Sequence, residues 1–244
     1  MSTPPPPYDL IGDVHGCASE LGTLLADLGW DGAGHPADRV AVFVGDLVDR
    51  GPDTPGVLRQ VMAMTEAGTG LCVAGNHEAK LVRALRGAPV RTTHGLQESL
   101  DQLDRETQSF RDEVVDFLIG LPHQLVLDDG RLVVAHAGLR EDLHGQDSPR
   151  SRSFALYGDT TGQRDQHGLP IRLPWQREYR GDAVVVYGHT PVTEATWVNN
   201  TICLDTGVVF GGRLTALRYP ERELVDVPAE RQWCPPVRPL APVA

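Results

Sequence analysis

The chain has 244 residues and a net charge of −11, from 33 acidic and 22 basic side chains. That length suits one or two domains with a sizeable core, and an apolar share of 41% is ordinary for a globular chain and excludes general disorder. An acidic surface excludes long non-specific tracking along nucleic acid, while leaving room for a small phosphate ligand or a strand end.

Residues 1–7 are proline-rich and are expected to form a mobile tail before a domain spanning 8–230. Residues 8–11 read as a strand, and Leu21, Leu24, Leu25 and Leu28 then follow helical spacing. The continuous apolar run 40–44 is a strand buried on both faces. Thr54 and Pro55 read as the N-cap and first residue of a helix that Val57, Val61 and Met64 continue. Residues 71–74 form a third strand. Helices are expected near 77–86, 96–103 and 110–119. Strands at 123–127 and 132–135 flank Asp128-Asp129-Gly130, a hairpin turn. The stretch 140–179 is polar, rich in glycine and proline, and expected to be an irregular substrate rim. Further strands are expected at 183–187, 201–204, 214–218 and 223–227, before a second proline-rich tail at 231–244. Alternating strands and helices thus give way to mainly strands, which points to an α/β protein with more than one sheet or a mixed sheet.

No basic region followed by an apolar stretch opens the chain, and no run is long enough to span a bilayer, so a cytoplasmic protein with no membrane partner is expected. Cys17, Cys72, Cys203 and Cys234 form no C-x-x-C pair and read as plain reduced cysteines.

Five strands end in a glycine beside polar residues of metal-ligand type. They are Gly12-Asp13-Val14-His15-Gly16, Gly45-Asp46-Leu47-Val48-Asp49-Arg50-Gly51, Gly75-Asn76-His77-Glu78, His136-Ala137-Gly138 and Gly188-His189-Thr190. Any one of them alone is compatible with an ordinary turn; five in one order are not. Ligands of open α/β sheets bind beyond the carboxyl ends of strands. Asp, His and Asn without thiolate suit manganese, iron, magnesium or zinc, and an open set drawn from distant strand ends is the pattern of a catalytic site. Asp205, after the apolar run that ends in Leu204, reads either as a partner for a metal or its ligand, or as a turn aspartate. His35, His144 and His167 are expected on surface loops, and His94 and His123 in structural roles.

The GDVHG, GDLVDRG and GNHE stretches, in this order, resemble the three motifs of calcineurin-like metallophosphoesterases of the phosphoprotein phosphatase type. The resemblance runs from about residue 8 to 227. It implies an α/β fold, a β-sandwich of two mixed sheets flanked by helices, and hydrolysis of phosphate esters by a metal-activated hydroxide. It implies that Asp13 and His15 hold the first metal, that Asp46 bridges both, and that Asn76, His136 and His189 complete the second. A carboxylate has two oxygens and can bridge, whereas Asn and neutral His offer one ligand atom each. It further implies that His77 is the general acid, that Asp49 orients it and favours its cation, and that Arg50 grips phosphate oxygens. The implied cofactors are two divalent ions, chiefly Mn2+.

Several longer stretches resemble the phosphatase module of bacterial polynucleotide kinase-phosphatases: residues 75–87, 93–96, 156–162, 198–207 and 210–222. This implies action on 2′,3′-cyclic and 2′- or 3′-phosphates of nucleotides or RNA ends, in RNA repair, with a kinase and a ligase as companion domains or partners. No G-x-x-x-x-G-K-[ST] loop is present, so the chain is expected to be an isolated module or a free-standing relative. Three alternatives stand beside this reading: a serine/threonine phosphatase acting on a phosphoprotein, a dinucleoside tetraphosphate hydrolase (whose sequences are similar around LDTG and FGG), and an inactive phosphate-binding scaffold.

Overall fold

The structure is a computed structural model that describes residues 6–242; the expected tail positions 1–5 and 243–244 lie outside the described residues. The first half alternates β1 (Tyr8–Ile11), α1 (Ala18–Leu28), β2 (Val40–Phe43), α2 (Thr54–Glu66), β3 (Gly70–Cys72) and α3 (Asn76–Leu85), followed by α4 (Leu96–Leu103) and α5 (Gln108–Gly120). The second half contains β4 (Leu125–Leu127), β5 (Leu132–Val134), α6 (Pro149–Tyr157), β6 (Thr160–Arg164), β7 (Pro170–Arg172) and α7 (Trp175–Glu178). It closes with β8 (Val184–Tyr187), β9 (Trp197–Val198), β10 (Thr201–Cys203), β11 (Arg213–Tyr219) and β12 (Glu223–Pro228).

These strands form two five-stranded mixed sheets, in the orders β12-β11-β1-β2-β3 and β4-β5-β8-β10-β9, with β6-β7 as a separate hairpin. β1, β2 and β3 run parallel, and so do β5, β8 and β10. Period-two alternation sorts the side chains. Leu10, Val42, Val44, Val134, Val186, Ile202 and Leu217 meet between the sheets. Ile11, Ala41 and Phe43 face outward and are covered by Leu21, Leu24 and Leu28 of α1 and Val57 and Val61 of α2. On the other outer surface Val133, Val185 and Cys203 pack under Phe154, Trp175 and Tyr179. Each such fully buried aliphatic side chain contributes roughly 1.5–3 kcal/mol. The sandwich and its flanking helices are the architecture that the resemblance implied.

Three local expectations are corrected. The N-cap of α2 is Asp53, whose carboxylate accepts from Gly56 N at 2.8 Å; Thr54 is already helical, and its hydroxyl instead meets Ser99 Oγ at 3.1 Å. The stretch 140–179 is ordered into α6, α7 and the β6–β7 hairpin, because Phe154 and Trp175 have an apolar sheet face to cover. The residues 231–242, expected as a free tail, lie against the body. Trp233 Nε1 donates to Glu20 Oε1 at 2.8 Å, and Ala241 pairs with Val192. All four cysteines are free thiols. Among the described residues no helix is long and apolar enough to cross a membrane.

Candidate binuclear metal centre

Six parallel strands, three from each sheet, deliver polar residues to one edge of the sandwich. Asp13, Asp46 and Asn76 follow β1, β2 and β3; His136, His189 and Asp205 follow β5, β8 and β10. Space there is tight. A Cβ on Gly188 would overlap Asp13 Oδ1, and one on Gly75 would overlap Asp46 Oδ1, so only glycine lets these turns approach the carboxylates. His15, Asp46, Asp49, Arg50 and His189 all have positive φ, between 46° and 73°. Such backbone is costly for side-chain-bearing residues, roughly 1–3 kcal/mol each, and clusters where a site must be held in one geometry.

The histidine tautomers follow from backbone acceptors. His15 Nδ1 donates to Val48 O at 2.8 Å and His136 Nδ1 to Val44 O at 3.0 Å, which leaves both Nε2 lone pairs facing the centre. His136 Nε2 lies 2.9 Å from His189 Nδ1, 3.0 Å from Asn76 Oδ1 and 3.3 Å from Asp46 Oδ1. Asp46 Oδ2 is 3.6 Å from His15 Nε2 and 3.8 Å from His77 Nε2. Asp46 therefore belongs to two ligand clusters, one with His15 and His77, the other with His136 and His189.

Charge is crowded. Burial, then Asp205 and Asp46, raise Asp13 well above the usual carboxylate range, and burial pushes Asp205 up to about 7. Burial also opposes ionisation of Asp46, but the neighbouring His136, His77 and His15 outweigh it and hold it well below the usual range. Burial would lower His136; the Asp46 and Glu78 carboxylates raise it instead. His15 and His189 are lowered well below the ordinary histidine value, first by burial and then by Arg50 and His136 respectively. Asp13 Oδ1 and His189 Nε2 are buried without a hydrogen-bond partner. Lone pairs converging at hydrogen-bond distance, partnerless buried ligand atoms and crowded carboxylates are what two divalent cations would satisfy. Arg50 supplies positive charge at this point in the structure: Nη1 contacts His15 Nε2 at 2.5 Å and Nη2 contacts His77 Nε2 at 3.0 Å.

The structure brings every residue singled out in the motifs into this cluster, with two differences of detail. Asp13 stands outside both ligand clusters; one of its oxygens accepts from His189 N at 2.9 Å and the other has no hydrogen-bond partner. His77 joins the His15 cluster, because the start of α3 carries Asn76 and His77 together. His77 Nδ1 is 2.6 Å from Asp49 Oδ2, and both residues are buried. Asp205 accepts from Gly207 N at 3.1 Å, as a turn aspartate does, while its charge also acts on Asp13. His35 is half-buried, with Nε2 against Leu28 O and its ring against Trp30, so it is not a free surface residue.

Sequence reasoning assigned no role to Glu78, yet it organises the loop. Its carboxylate accepts from Asp46 N, Leu47 N and Gly75 N at 2.8 Å each and from Val48 N at 3.3 Å. Its position three residues after the helix-capping Gly75 was a legible signal. Ser99 of α4 likewise receives Asp49 N at 2.9 Å. Arg172 on β7 was not legible. It donates to Tyr157 O and lowers His189, while burial lowers its own value; its Nη1 and Ala137, the neighbour of His136, both pack around Gly158, which places a second guanidinium beside the centre.

This is the fold and polar site of a phosphoesterase. The profile of the calcineurin-like phosphoesterases matches residues 6–223, and the chain belongs to that family, whose members carry a binuclear divalent metal centre. The asymmetrical bis(5′-nucleosyl)-tetraphosphatase PrpE of Anoxybacillus flavithermus is 46% identical over 230 residues, covering 91% of this chain and 94% of that protein. The Bacillus subtilis protein of the same name is 45% identical over 230 residues, with the same coverage of 91% and 94%. A crystal structure provisionally identified as a diadenosine tetraphosphatase superposes with a TM-score of 0.68 at 27% identity, covering 94% of this chain and 96% of that one. A protein serine/threonine phosphatase from Saccharomyces cerevisiae superposes with a TM-score of 0.62 at 16% identity, over 93% and 81% of the two chains; that likeness is one of fold.

Proposed function

We propose that this phosphoesterase is a manganese-dependent dinucleoside tetraphosphatase. Water is added across one phosphoanhydride off the centre of the bridge, releasing a nucleoside monophosphate and a nucleoside triphosphate. The observation that carries the substrate is the 46% identity, along nearly the whole of both chains, to a protein bearing that name. The RNA-end and cyclic-phosphate reading gains no support from the comparisons, and the dinucleotide alternative replaces it.

In this reading Asp13, His15 and Asp46 would hold one divalent ion, and Asn76, His136 and His189, with Asp46 shared, would hold the other. When bound, the two cations supply Lewis acidity that polarises phosphoryl oxygens and activates water. The remaining steps belong to side chains. Arg50 swings from the two histidines to clamp phosphate oxygens, for which its fork is suited. His77, tied at Nδ1 to Asp49, presents Nε2 to the leaving oxygen as a proton donor. Glu78 holds the Asp46 loop, and Asp205 adds negative charge beside Asp13.

The test is a substrate panel on manganese-loaded protein, comparing diadenosine tetraphosphate, a 2′,3′-cyclic nucleotide, an RNA 3′-phosphate and a phosphothreonine peptide by kcat/KM. Dominance of the dinucleotide supports the proposal, and dominance of any other substrate overturns it.

A further inference from the structure

The segment after β12 returns along the rim of the metal centre. Trp233 N and Cys234 N both donate to Val209 O, at 3.1 and 3.0 Å. Further on, Leu240 lies against Gly207, two residues beyond Asp205. Ala241 pairs with Val192 and accepts from Thr193 N at 3.1 Å, just beyond His189. The segment is thus anchored on the two loops that present Asp205 and His189. Between the anchors, Arg238 Nη1 reaches Asp165 Oδ2 at 3.3 Å, on the turn of the hairpin whose second strand carries Arg172. The other Asp165 oxygen accepts from His167 N and Leu169 N at 2.9 Å each, so this carboxylate is part of the turn itself.

We propose that Arg238 is a specificity-determining residue that grips the phosphates of a polyphosphate chain lying beyond the one held at the metal centre. The proposal rests on the reading of the substrate as a dinucleoside tetraphosphate, which has such phosphates to offer. Arg172 packs with Ala137, next to His136, around Gly158, and Arg238 meets the turn of the same hairpin, so both cations belong to the hairpin that borders the centre. Arg172 is brought down to about 10 by burial and then by the charge of Arg238, in keeping with their proximity. The Arg238–Asp165 pair is partly exposed, at 42% and 21% of the two side chains, so solvent screens it and it is held weakly. Arg238 can therefore exchange Asp165 for phosphate oxygens at little cost, and the guanidinium fork matches them. On a chain of net charge −11, a local pair of arginines at the rim also offsets repulsion of a polyanion. Arg238 lies beyond residues 6–223, which the family profile matches.

The experiment uses the full chain with p-nitrophenyl phosphate as reporter at fixed free manganese. Inorganic tripolyphosphate and orthophosphate serve as competitive inhibitors of the natural sequence, Arg238→Ala and Arg238→Lys. The ratio of the tripolyphosphate to the orthophosphate inhibition constant should rise about tenfold in Arg238→Ala, the loss of one charged hydrogen-bonding group, with Arg238→Lys in between. A ratio that stays within about twofold overturns the proposal, as does a parallel rise of both constants. Turnover of diadenosine tetraphosphate by the natural sequence is read separately. Its absence would sink the dinucleotide reading, while the inhibition ratio would still decide whether Arg238 binds a polyphosphate chain.

Discussion

Asp49 touches no phosphate in the proposed mechanism, yet Asp49→Asn should slow turnover selectively. His77 Nδ1 meets Asp49 Oδ2 at 2.6 Å, and neither group is open to solvent. The substitution keeps the shape and an acceptor oxygen but removes the charge opposite a histidine that must carry a proton to the leaving group. A hydrogen bond to a charged group is worth roughly 1.5–3 kcal/mol, which corresponds to about 10- to 100-fold in kcat where proton donation limits the rate. An alkyl phosphate, whose leaving oxygen needs that proton, should show the full loss. An activated aryl phosphate should lose less than about threefold. The assay is kcat across a series of monoesters graded by leaving-group pKa, for the natural sequence, Asp49→Asn, His77→Ala and the double variant. His77→Ala should steepen the dependence further, and Asp49→Asn should add almost nothing in its background, since residues acting as a unit are non-additive. Equal losses along the series, or additive losses in the double variant, would refute the assignment of His77 as acid and Asp49 as its positioning residue.

Asp46 is shared by both ligand clusters, so Asp46→Ala should lose both metals, not one, and abolish turnover; a variant retaining two tightly bound ions by elemental analysis would remove the bridging role. Chelation should silence the enzyme and manganese restore it. Metal affinity should fall as pH drops, because His136, raised by Asp46 and Glu78, must give up its proton to become a ligand. Calorimetry in buffers of different ionisation enthalpy should detect that proton, and binding independent of pH between about 5.5 and 8 would exclude His136. Glu78→Ala should weaken metal binding by freeing the backbone N–H groups of Asp46, Leu47 and Val48. Glu20→Ala removes another buried carboxylate, the partner of Trp233 and Glu230 N, and should lower the melting temperature while leaving the metal content intact. Equal metal loss in the two would make the role of Glu78 merely one of core stability.

The sequence by itself determined which residues would gather at the candidate site. Glycines flanking Asp, His and Asn at strand ends are a local signal, because tight turns and ligand types are both written in a few adjacent residues. That is why all six proposed ligands, with His77, Asp49 and Arg50, converge in the structure on one edge of the sandwich. The helices of the first half were legible for the same reason: Leu21, Leu24, Leu25 and Leu28 carry the helical period by themselves. The N-cap of α2 was misplaced by one residue because Asp53 and Thr54 are both competent caps, and only the presence of Ser99 beside Thr54 decides between them. Arg172, Arg238 and the course of residues 231–242 had no local signature at all. They are placed by long-range packing: Trp233 against Glu20, Ala241 beside Val192, and β7 folded back over Tyr157. The proposed ligand set is thus written in residues close in sequence to their turns, while the rim that carries Arg172 and Arg238 was decided by contacts between segments far apart, which only the tertiary structure brings together.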